Sequence, residues 1–362
     1  MRQPPVKPVS REPVTLLIDE IAFGGAGVGR IAGKVVFVPF TIDGERVDIQ
    51  LTEERRSLNR AIATKVREPS VHRCHPPCRY FGACGGCDYQ HITYSHQLKI
   101  KQNQVEQAVR RIGGLREAEV LPMIPSPKPF GFRNRITVHS DGKAIGFFAK
   151  HSRNVLDIDF CAIATEEVNR LLVQIRRQGM RHGRHKTLRG NDKVSTFIQT
   201  NDEVAPLLLR EVASKVVGPV LADAFCGAGF FAHALAPSVA QVIGIEWNKA
   251  AVAAARTAAH PNEVYVCADV SEALGGVLHR YRPQTLVLDP PSAGLGRPVI
   301  DQILRNRPPN LIYVACDPAT FSRDLKHLAE AYSVRSIQPL DMFPQTAAVE
   351  VVGVLEPRGS GQ

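Results

Sequence analysis

The sequence lacks the features that mark several classes of protein. It has no run of the roughly 18 consecutive apolar residues that a membrane span needs. Its first residues, Met1–Pro8, hold no apolar stretch of the kind that a secretory signal carries. No repeat with a period of roughly 20–50 residues is visible, which excludes a solenoid. We therefore expect a cytoplasmic protein that contacts no membrane, and we expect a monomer.

The sequence contains few cysteines, and it contains fewer acidic than basic residues. Both features narrow the possible functions. The 362 residues include 8 cysteines, and four of these crowd into Cys74–Cys87. Reduced thiols are the default in a long chain without a secretion signal, so a crowded set indicates a metal site. The sequence has 45 Lys and Arg residues and 35 Asp and Glu residues, which gives a net charge of +10. This excess favours a nucleic-acid partner, with a basic protein that has no such partner as the alternative.

Composition and turn signals predict a tail followed by three domains. Residues 1–12 form a Pro-rich tail that we expect to be flexible. Residues 13–68 carry short β-rich runs between Gly turns, one of which is Phe23–Arg30, and this pattern predicts a small OB-like β-barrel. Small barrels of this kind often bind RNA, and a domain with only a structural packing function is the alternative. Residues 69–195 are less regular and combine the cysteine-rich loop with a predicted helix, Ser95–Gly113.

The third domain, residues 196–362, alternates strictly between short apolar strands and helices, which predicts a doubly wound α/β sheet. The predicted parallel strands are Val220–Ala224, Gln241–Glu246, Glu263–Ala268, Thr285–Asp289 and Leu311–Ala315. Two later strands, Val334–Pro339 and Ala348–Leu355, are joined by a segment too short for a crossover helix, so we expect them to pair antiparallel. A mostly parallel sheet with a terminal hairpin resembles the Rossmann-like class I fold of S-adenosylmethionine-dependent methyltransferases.

The ends of the first three predicted strands carry a candidate cofactor site. After the first strand, Gly227 and Gly229 allow a tight turn and a close approach to a ligand. Glu246 ends the second strand, where a carboxylate accepts hydrogen bonds from ribose hydroxyls. Asp269 ends the third strand, and we expect it to reach an adenine amino group. Because alanine occupies the third glycine position, a dinucleotide is disfavoured, and a tight turn without a ligand remains the alternative.

The fourth and fifth strands end in further candidate site residues. Asp289 begins an Asp-Pro-Pro-Ser segment typical of base methyltransferases, and its serine argues against methylation of exocyclic amino groups. Cys316 precedes a predicted helix, whose N-terminus favours thiolate over thiol. A thiolate that adds to carbon 6 of uracil makes carbon 5 nucleophilic, and Glu350 is the candidate base for the carbon-5 proton. A buried inert cysteine and a glutamate that faces water are the alternatives.

Taken in order, these motifs resemble the RNA uracil-C5 methyltransferase family, which forms 5-methyluridine. The resemblance covers nearly the whole chain: Gly24–Gly29 is similar to the glycine run of the TRAM RNA-binding module, and Cys316–Thr320 to the nucleophile motif. It implies Cys316 as nucleophile and Glu350 as general base. It also implies S-adenosylmethionine as cofactor, held by Gln199, Phe225, Gly227, Gly229, Glu246, Asp269 and Asp289.

The resemblance also assigns the crowded cysteines. It implies a [4Fe-4S] cluster whose ligands are Cys78, Cys84, Cys87 and the remote Cys161, with Cys74 outside the cluster. Spacing alone leaves open a zinc site formed by the four thiols of Cys74–Cys87. Five residues and then two between successive cysteines, with a distant fourth, are closer to iron–sulfur proteins. We expect the cluster to tie a loop-rich insert that lacks a large core of its own.

Two departures from the family pattern bear on activity. Phe230 stands where the family often has asparagine in the cofactor loop, which puts one cofactor hydrogen bond in doubt. Asp317 replaces the usual asparagine after the nucleophile, and its charge raises the pKa expected for Cys316. Both predicted catalytic groups are present, so we expect an active enzyme.

The leading hypothesis is methylation of a uridine in structured RNA, with rRNA favoured over tRNA because the barrel and the cluster resemble the rRNA-modifying branch. The target base must leave its stack, and Phe132 is predicted to hold the vacated position, with Arg133 and Arg135 on phosphates. The alternative is a catalytically weak RNA-binding or RNA-folding protein that retains the methyltransferase fold. A third hypothesis, a DNA cytosine methyltransferase, lacks its Pro-Cys nucleophile loop.

Overall fold

The structure is a computed structural model that describes residues 14–190 and 199–359. The chain divides into two compact units. The first unit comprises Met1–Lys101, Lys128–Asn191 and Phe343–Ala347, and the second comprises Gln102–Pro127, Asp192–Met342 and Ala348–Gln362. The predicted tail lies outside the described residues, and the predicted domain boundaries stay predictions. Of the helices described, none is long and apolar enough to span a bilayer.

The first unit contains a six-stranded sheet built around an apolar core. Its strands are β1 (Val14–Leu17), β2 (Glu20–Ile21), β3 (Ala26–Ile31), β4 (Lys34–Pro39), β5 (Arg46–Glu54) and β6 (Leu58–Glu68). Their spatial order is β1-β5-β6-β4-β3-β2, and β4 and β6 pair parallel. Alternate side chains such as Val36 and Val38 are fully buried, as the two-residue period of a strand requires. The β-rich runs predicted over 13–68 are thus confirmed.

One predicted turn is in part a strand. The glycine-rich run Phe23–Arg30 overlaps β3, which pairs with β4 over its whole length. A Cβ at Gly27 would collide with Thr41, and one at Gly29 would collide with the carbonyl oxygen of Leu17. These two glycines are therefore required by the close approach of neighbouring chain segments rather than by a turn.

A second sheet of the first unit has four antiparallel strands in the order β10-β7-β8-β9. They are β7 (Arg135–Ser140), β8 (Ile145–Phe148), β9 (Val155–Asp157) and β10 (His185–Arg189). Helix α2 (Glu166–Gln178) packs on one face through apolar residues that include Leu172 and Ile175. The Oγ1 of Thr165 caps this helix by accepting a hydrogen bond from the Val168 N–H at 3.3 Å.

The second unit contains a seven-stranded sheet in the order β13-β12-β11-β14-β15-β17-β16. Its strands are β11 (Val220–Ala224), β12 (Gln241–Glu246), β13 (Glu263–Cys267), β14 (Thr285–Leu288), β15 (Asn310–Ala315), β16 (Tyr332–Leu340) and β17 (Glu350–Pro357). The first five are parallel, whereas β17 is antiparallel to both of its neighbours. The predicted doubly wound sheet with an antiparallel terminal hairpin is confirmed.

The helices agree less completely with prediction. They are α1 (Tyr94–Arg111), α3 (Ala205–Ala213), α4 (Phe230–Leu235), a 3-10 turn (Ala236–Ser238), α5 (Lys249–Ala258), α6 (Val270–Tyr281), α7 (Gly296–Asn306) and α8 (Pro318–Leu328). The prediction missed α2, α3 and α6, and α6 contains Gly275 and Gly276, which weaken a helix signal. The helix that the sequence predicts after Cys316 extends over Pro318–Tyr332, which is too long, because Tyr332 begins strand β16.

Candidate active site

The predicted cofactor loop leaves β11 through a turn that only certain residues adopt readily. Phe225, Gly227 and Gly229 have φ angles of +65°, +54° and +90°, in the left-handed region that favours glycine. Gly229 then caps α4, in which Phe230 is the first residue. The turn brings backbone N–H groups to the carboxyl edge of the sheet, where parallel α/β sheets bind ligands.

Asp223 lies beneath this loop and is fully buried. Its Oδ2 accepts a hydrogen bond from the Ala232 N–H at 3.0 Å, while its buried Oδ1 has no partner among the described residues. Burial, reinforced by the nearby Asp289, raises the pKa of Asp223 well above its ordinary value. The sequence analysis did not single out this carboxyl group, although its position inside an apolar strand was the available signal.

Glu246 lies at the end of β12, as predicted, and also supports the loop. It is buried, and its carboxylate accepts hydrogen bonds from the N–H groups of Gly227 at 3.2 Å and Asn248 at 2.7 Å. Each oxygen retains acceptor capacity for a ribose hydroxyl. The next residue, Trp247, is 66% exposed, and the sequence analysis did not identify it as part of the site.

The remaining predicted cofactor residues differ in their surroundings. Asp269 is exposed and caps α6, accepting hydrogen bonds from the N–H and hydroxyl of Ser271 at 2.7 and 2.6 Å. These bonds lower the pKa of the Asp269 carboxyl. Gln199 is buried and follows directly on residues 191–198, which lie outside the described chain. The capping function of Asp269 is thus additional to its predicted contact with adenine.

Cys316 and Glu350, the predicted catalytic pair, lie side by side. Ala315 of β15 pairs with Val351 of β17 in antiparallel register, so the adjacent residues Cys316 and Glu350 meet at the same end of the sheet. Glu350 is buried, and burial followed by the charge of Asp289 raises its pKa well above its ordinary value. The structure therefore brings the predicted nucleophile, the predicted base and Asp289 together.

The thiol of Cys316 is harder to ionise than the sequence suggested. Helix α8 does begin directly after Cys316 and Asp317, and its N-terminus favours a thiolate. Burial, followed by the charges of Glu350 and Asp289, nevertheless raises the pKa of Cys316 to about 11. Burial and the neighbouring carboxylates thus oppose the helix terminus, and the predicted thiolate stays a prediction.

Asp317 has a local structural function at the start of α8. Its Oδ1 accepts a hydrogen bond from the Thr320 N–H at 2.7 Å and so caps α8. Its charge also raises the pKa of Cys316, as predicted, but it contributes less than Glu350 or Asp289. Asparagine caps a helix equally well, so the acidic residue adds negative charge without any gain in capping.

Asp289 completes this group of acids. Its N–H donates to the Ala224 carbonyl oxygen at 3.3 Å, which fixes the end of β14 against β11. Burial raises the pKa of Asp289 from 3.8 to about 7. One carboxyl group that changes protonation near neutral pH thus interacts with both Cys316 and Glu350, an arrangement suited to proton transfer.

The four predicted cluster ligands line a single cavity in the first unit, with a volume of about 560 Å³. Burial raises the pKa of the thiols of Cys84, to about 11, of Cys87 and of Cys161. Cys74 is exposed, and its sulfur lies 3.5 Å from the Gln90 carbonyl oxygen. In the described part of the chain, no group of three or more His, Cys, Asp or Glu side chains is arranged to hold a metal ion. The predicted iron–sulfur cluster therefore stays a prediction.

The predicted interaction of Phe132 with a vacated base position stays a prediction. Phe132 is 2% exposed, so its ring is buried in this structure. Arg133 donates a hydrogen bond from Nε to the Arg135 carbonyl oxygen at 3.1 Å. Both arginines are half-buried, and their contact with phosphates stays a prediction.

Comparison with known proteins gives the family. The profile of the tRNA (uracil-5-)-methyltransferases matches residues 180–358, and the profile of the TRAM domain matches residues 10–64. An uncharacterised RNA methyltransferase of Thermosynechococcus vestitus is 31% identical over an alignment that covers 94% of this chain and 97% of that protein. The chain belongs to this RNA methyltransferase family. The predicted TRAM domain and methyltransferase activity are thereby confirmed.

Two further relatives extend the comparison. An uncharacterised RNA methyltransferase of Aquifex aeolicus is 28% identical over 95% of this chain and 99% of that protein. The crystal structure of the Pyrococcus abyssi tRNA (uracil-54, C5)-methyltransferase in complex with S-adenosyl-L-homocysteine covers 94% of this chain and 100% of that chain. It is 25% identical and has a TM-score of 0.71. The ligand of that protein is S-adenosylmethionine without the transferred methyl group.

We predict that the fluorescence of Trp247 reports cofactor binding. Trp247 is the only tryptophan in the sequence and follows Glu246 directly. A cofactor held by Glu246 displaces water from the exposed indole, so titration with S-adenosyl-L-homocysteine should shift its emission to shorter wavelength. In the Glu246→Ala variant the same titration should show binding weakened about tenfold or more. Calorimetric binding without any emission change would place the cofactor away from Glu246.

We predict that removal of a neighbouring charge makes Cys316 more reactive. At pH 8, Asp289 is mostly ionised, because its pKa is about 7, and it disfavours the thiolate. Asp289→Asn should therefore increase the rate at which iodoacetamide alkylates Cys316, measured by mass spectrometry of the Cys316 peptide. Asp317→Asn keeps the cap of α8 and should give a smaller increase. Equal rates in all three proteins would show that burial alone sets the thiol pKa.

Proposed function

We propose that the protein transfers a methyl group from S-adenosylmethionine to carbon 5 of a uridine in structured RNA, through a covalent adduct between Cys316 and carbon 6. The observation that carries this proposal is the juxtaposition of Cys316 and Glu350, with Asp289 acting electrostatically on both. A nucleophile beside two carboxyl groups supplies the nucleophilic and acid–base chemistry that this reaction needs.

The first step forms the bond between the Cys316 sulfur and carbon 6. The electrons of the C5–C6 double bond move towards the carbon-4 carbonyl, which leaves carbon 5 nucleophilic. Since the pKa of Cys316 is about 11, the thiol must give up its proton as it attacks. Asp289, with a pKa of about 7, is the neighbouring group that accepts this proton. S-adenosylmethionine, when bound, supplies the methyl group at carbon 5.

The last step regenerates Cys316. Carbon 5 then bears both a hydrogen and the new methyl group, and the Glu350 carboxylate removes the hydrogen as a proton. The electron pair left behind restores the C5–C6 double bond and expels the Cys316 thiolate. Burial raises the pKa of Glu350, and that makes its carboxylate a stronger base than an exposed one. Asp289 and Glu350 titrate as a pair, so when Asp289 holds a proton Glu350 ionises more readily.

We propose that seven residues of the second unit hold the cofactor. They are Gln199, Phe225, Gly227, Gly229, Glu246, Asp269 and Asp289. Support comes from the loop geometry, from the residual acceptor capacity of Glu246 and from the orphaned buried Oδ1 of Asp223 beside them. Phe230 contributes a ring rather than a hydrogen bond, and it packs edge-on against Phe231 with ring centroids 4.9 Å apart. The loop's hydrogen bonds to a cofactor therefore come from its backbone.

For the RNA target we propose rRNA, on the strength of the TRAM domain and the predicted cysteine ligands. The relative from Pyrococcus abyssi acts, by its description, on uracil 54 of tRNA, so tRNA is the second candidate. Mapping 5-methyluridine in rRNA and tRNA from cells with and without the gene separates the two. If cells without the gene contain as much 5-methyluridine as cells with it, the result favours the non-catalytic RNA-binding alternative. The raised pKa of the Cys316 thiol also favours that alternative.

We further propose that Cys78, Cys84, Cys87 and Cys161 hold a [4Fe-4S] cluster. All four line the same cavity, although Cys161 is far from the others in sequence. Thiols in such a buried site ionise when a positively charged group compensates them, which is the chemistry that iron supplies. Zinc is the alternative. Bound in this way, the four residues would tie the loop after β6 to the segment that precedes α2.

We predict that Glu350→Gln traps a covalent intermediate. Attack and methylation proceed without a base at carbon 5, but elimination waits on proton removal. The variant should therefore accumulate methylated RNA bound to protein, visible as a shifted band on a denaturing gel. The band should be absent when Cys316→Ala is combined with it. If Glu350→Gln releases methylated RNA at a near-normal rate, another group is the base.

The nucleophile has an independent test in the same assay. RNA with 5-fluorouridine at the target site should form a stable adduct with unaltered protein, since fluorine cannot leave as a proton does. Cys316→Ala should abolish the adduct and leave the Trp247 response to cofactor intact. An adduct that persists would move the nucleophile, with Cys226 as the next candidate even though it is buried.

We predict that protein purified without oxygen is brown, with a broad absorption near roughly 400 nm that is typical of iron–sulfur clusters. Cys84→Ser and Cys161→Ser should each remove the colour, because each removes a ligand. Cys74→Ser is the matched control and should leave it, since Cys74 is exposed. Colourless protein that holds stoichiometric zinc would overturn the cluster assignment.

A further inference from the structure

The four-stranded sheet of the first unit has an outer face that methyl transfer does not use. Helix α2 covers the opposite face, where the apolar side chains of β7 and β10 lie. The outer face is formed by residues that pair directly across β7 and β10: Arg135 with Arg189, Thr137 with Thr187, and His139 with His185. The two threonine hydroxyl oxygens are 3.0 Å apart, which shows that these side chains share one face.

Flat rings lie at the centre of this face. Phe148, the last residue of β8, stacks on His139 with ring centroids 4.0 Å apart and an angle of 26° between the ring planes. His185 lies 6.0 Å from His139 on its other side. Phe148 is 37% exposed although it is the most apolar of these residues. An exposed stack of aromatic rings on a polar sheet is a surface on which nucleic-acid bases stack.

The charge of the face complements a polyanion. Neither β7 nor β10 contains an Asp or Glu, and two arginines lie directly opposite each other. Burial and the charge of Arg189, followed by that of Arg133, lower the pKa of Arg135, so positive charge is concentrated here. Nearby carboxylates are engaged with other groups: Asp157 with Arg176, and Asp141 with the N–H groups of Lys143 and Ala144.

We propose that this stacking face, formed by Arg135, Thr137, His139, Phe148, His185 and Arg189, binds a single-stranded segment of RNA. One or two bases stack on Phe148 and His139, and the adjoining phosphates contact Arg135 and Arg189. A duplex hides the flat faces of its bases, so ring stacking selects unpaired nucleotides. The inference rests on the proposed function only in taking RNA as the substrate, and it adds that the recognised RNA contains an unpaired segment.

The test is direct binding, measured by fluorescence anisotropy with a labelled oligouridylate of about 10 nucleotides and a hairpin duplex of the same length. Unaltered protein should bind the single strand more tightly than the duplex. Phe148→Ala and His139→Ala should each weaken single-strand binding about tenfold, and Phe148→Tyr, which keeps the ring, should restore it. Phe148 also lines the cysteine cavity, so Phe148→Ala alone could weaken binding by disturbing that cavity. His139 does not line the cavity, so His139→Ala tests the stacking face separately.

The charge component has a matched control. Arg189→Ala should weaken binding and reduce the slope of log affinity against log salt by about 0.7. Arg177→Ala removes the same charge from the exposed side of α2, over the opposite face of the sheet, and should change neither. If Phe148→Tyr binds as weakly as Phe148→Ala, or if the variants weaken duplex and single strand alike, the face is a general polyanion surface and the inference is wrong.

These measurements require no methyl transfer, so the inference and the proposed function fail separately. A Cys316→Ala protein that forms no adduct but binds the single strand through Phe148 supports the inference whatever the fate of the proposed chemistry. If unaltered protein methylates uridine and the Phe148→Ala variant binds the single strand as tightly as unaltered protein does, the inference is wrong and the proposed function stands.

Discussion

Buried negative charge at the carboxyl edge of the parallel sheet is the constraint on which the candidate site depends. Asp223 and Glu350 are buried there and Asp289 is half-buried, and the pKa values of all three are raised. The pKa of Asp289 is raised from 3.8 to about 7, so the unfolded chain loses this proton at lower pH than the folded protein does. The folded state is therefore destabilised progressively as the pH rises from 3.8 to about 7, and by about 4 kcal/mol above that. The sheet tolerates this cost because its apolar interior is large. As a consequence, the Asp289 carboxyl group changes protonation near neutral pH.

The fold was largely predictable from the sequence because the parallel strands are buried on both faces. Buried strands appear as continuous apolar runs, and the bounds of β11 and β12 coincide with prediction. The prediction failed where local signals conflict with tertiary structure. Gly27 and Gly29 look like turn residues but lie in β3, where another chain segment comes close, and paired glycines concealed α6. Such contacts join residues distant in sequence, which no local pattern reveals.

Residue identity and order at the strand ends indicated the positions of the candidate site but not its electrostatics. The neighbouring positions of Cys316 and Glu350 follow from the register of β15 and β17, which sequence spacing does not specify. The raised pKa of the thiol follows from burial and from the charges of Glu350 and Asp289, and the sequence analysis had assigned Asp289 to the cofactor alone. The motif around Phe132 likewise gave no sign that its side chain is buried.

The two compact units are interleaved along the chain, each being built from three separate segments. Neither can be excised as one continuous piece, because each includes segments that lie between segments of the other. Helix α1 is itself divided between the units after Lys101, and Phe343–Ala347 returns to the first unit from within the second. A nascent chain cannot complete the first unit until Phe343–Ala347 has emerged, so the last contacts of that unit form only after most of the second unit has been synthesised.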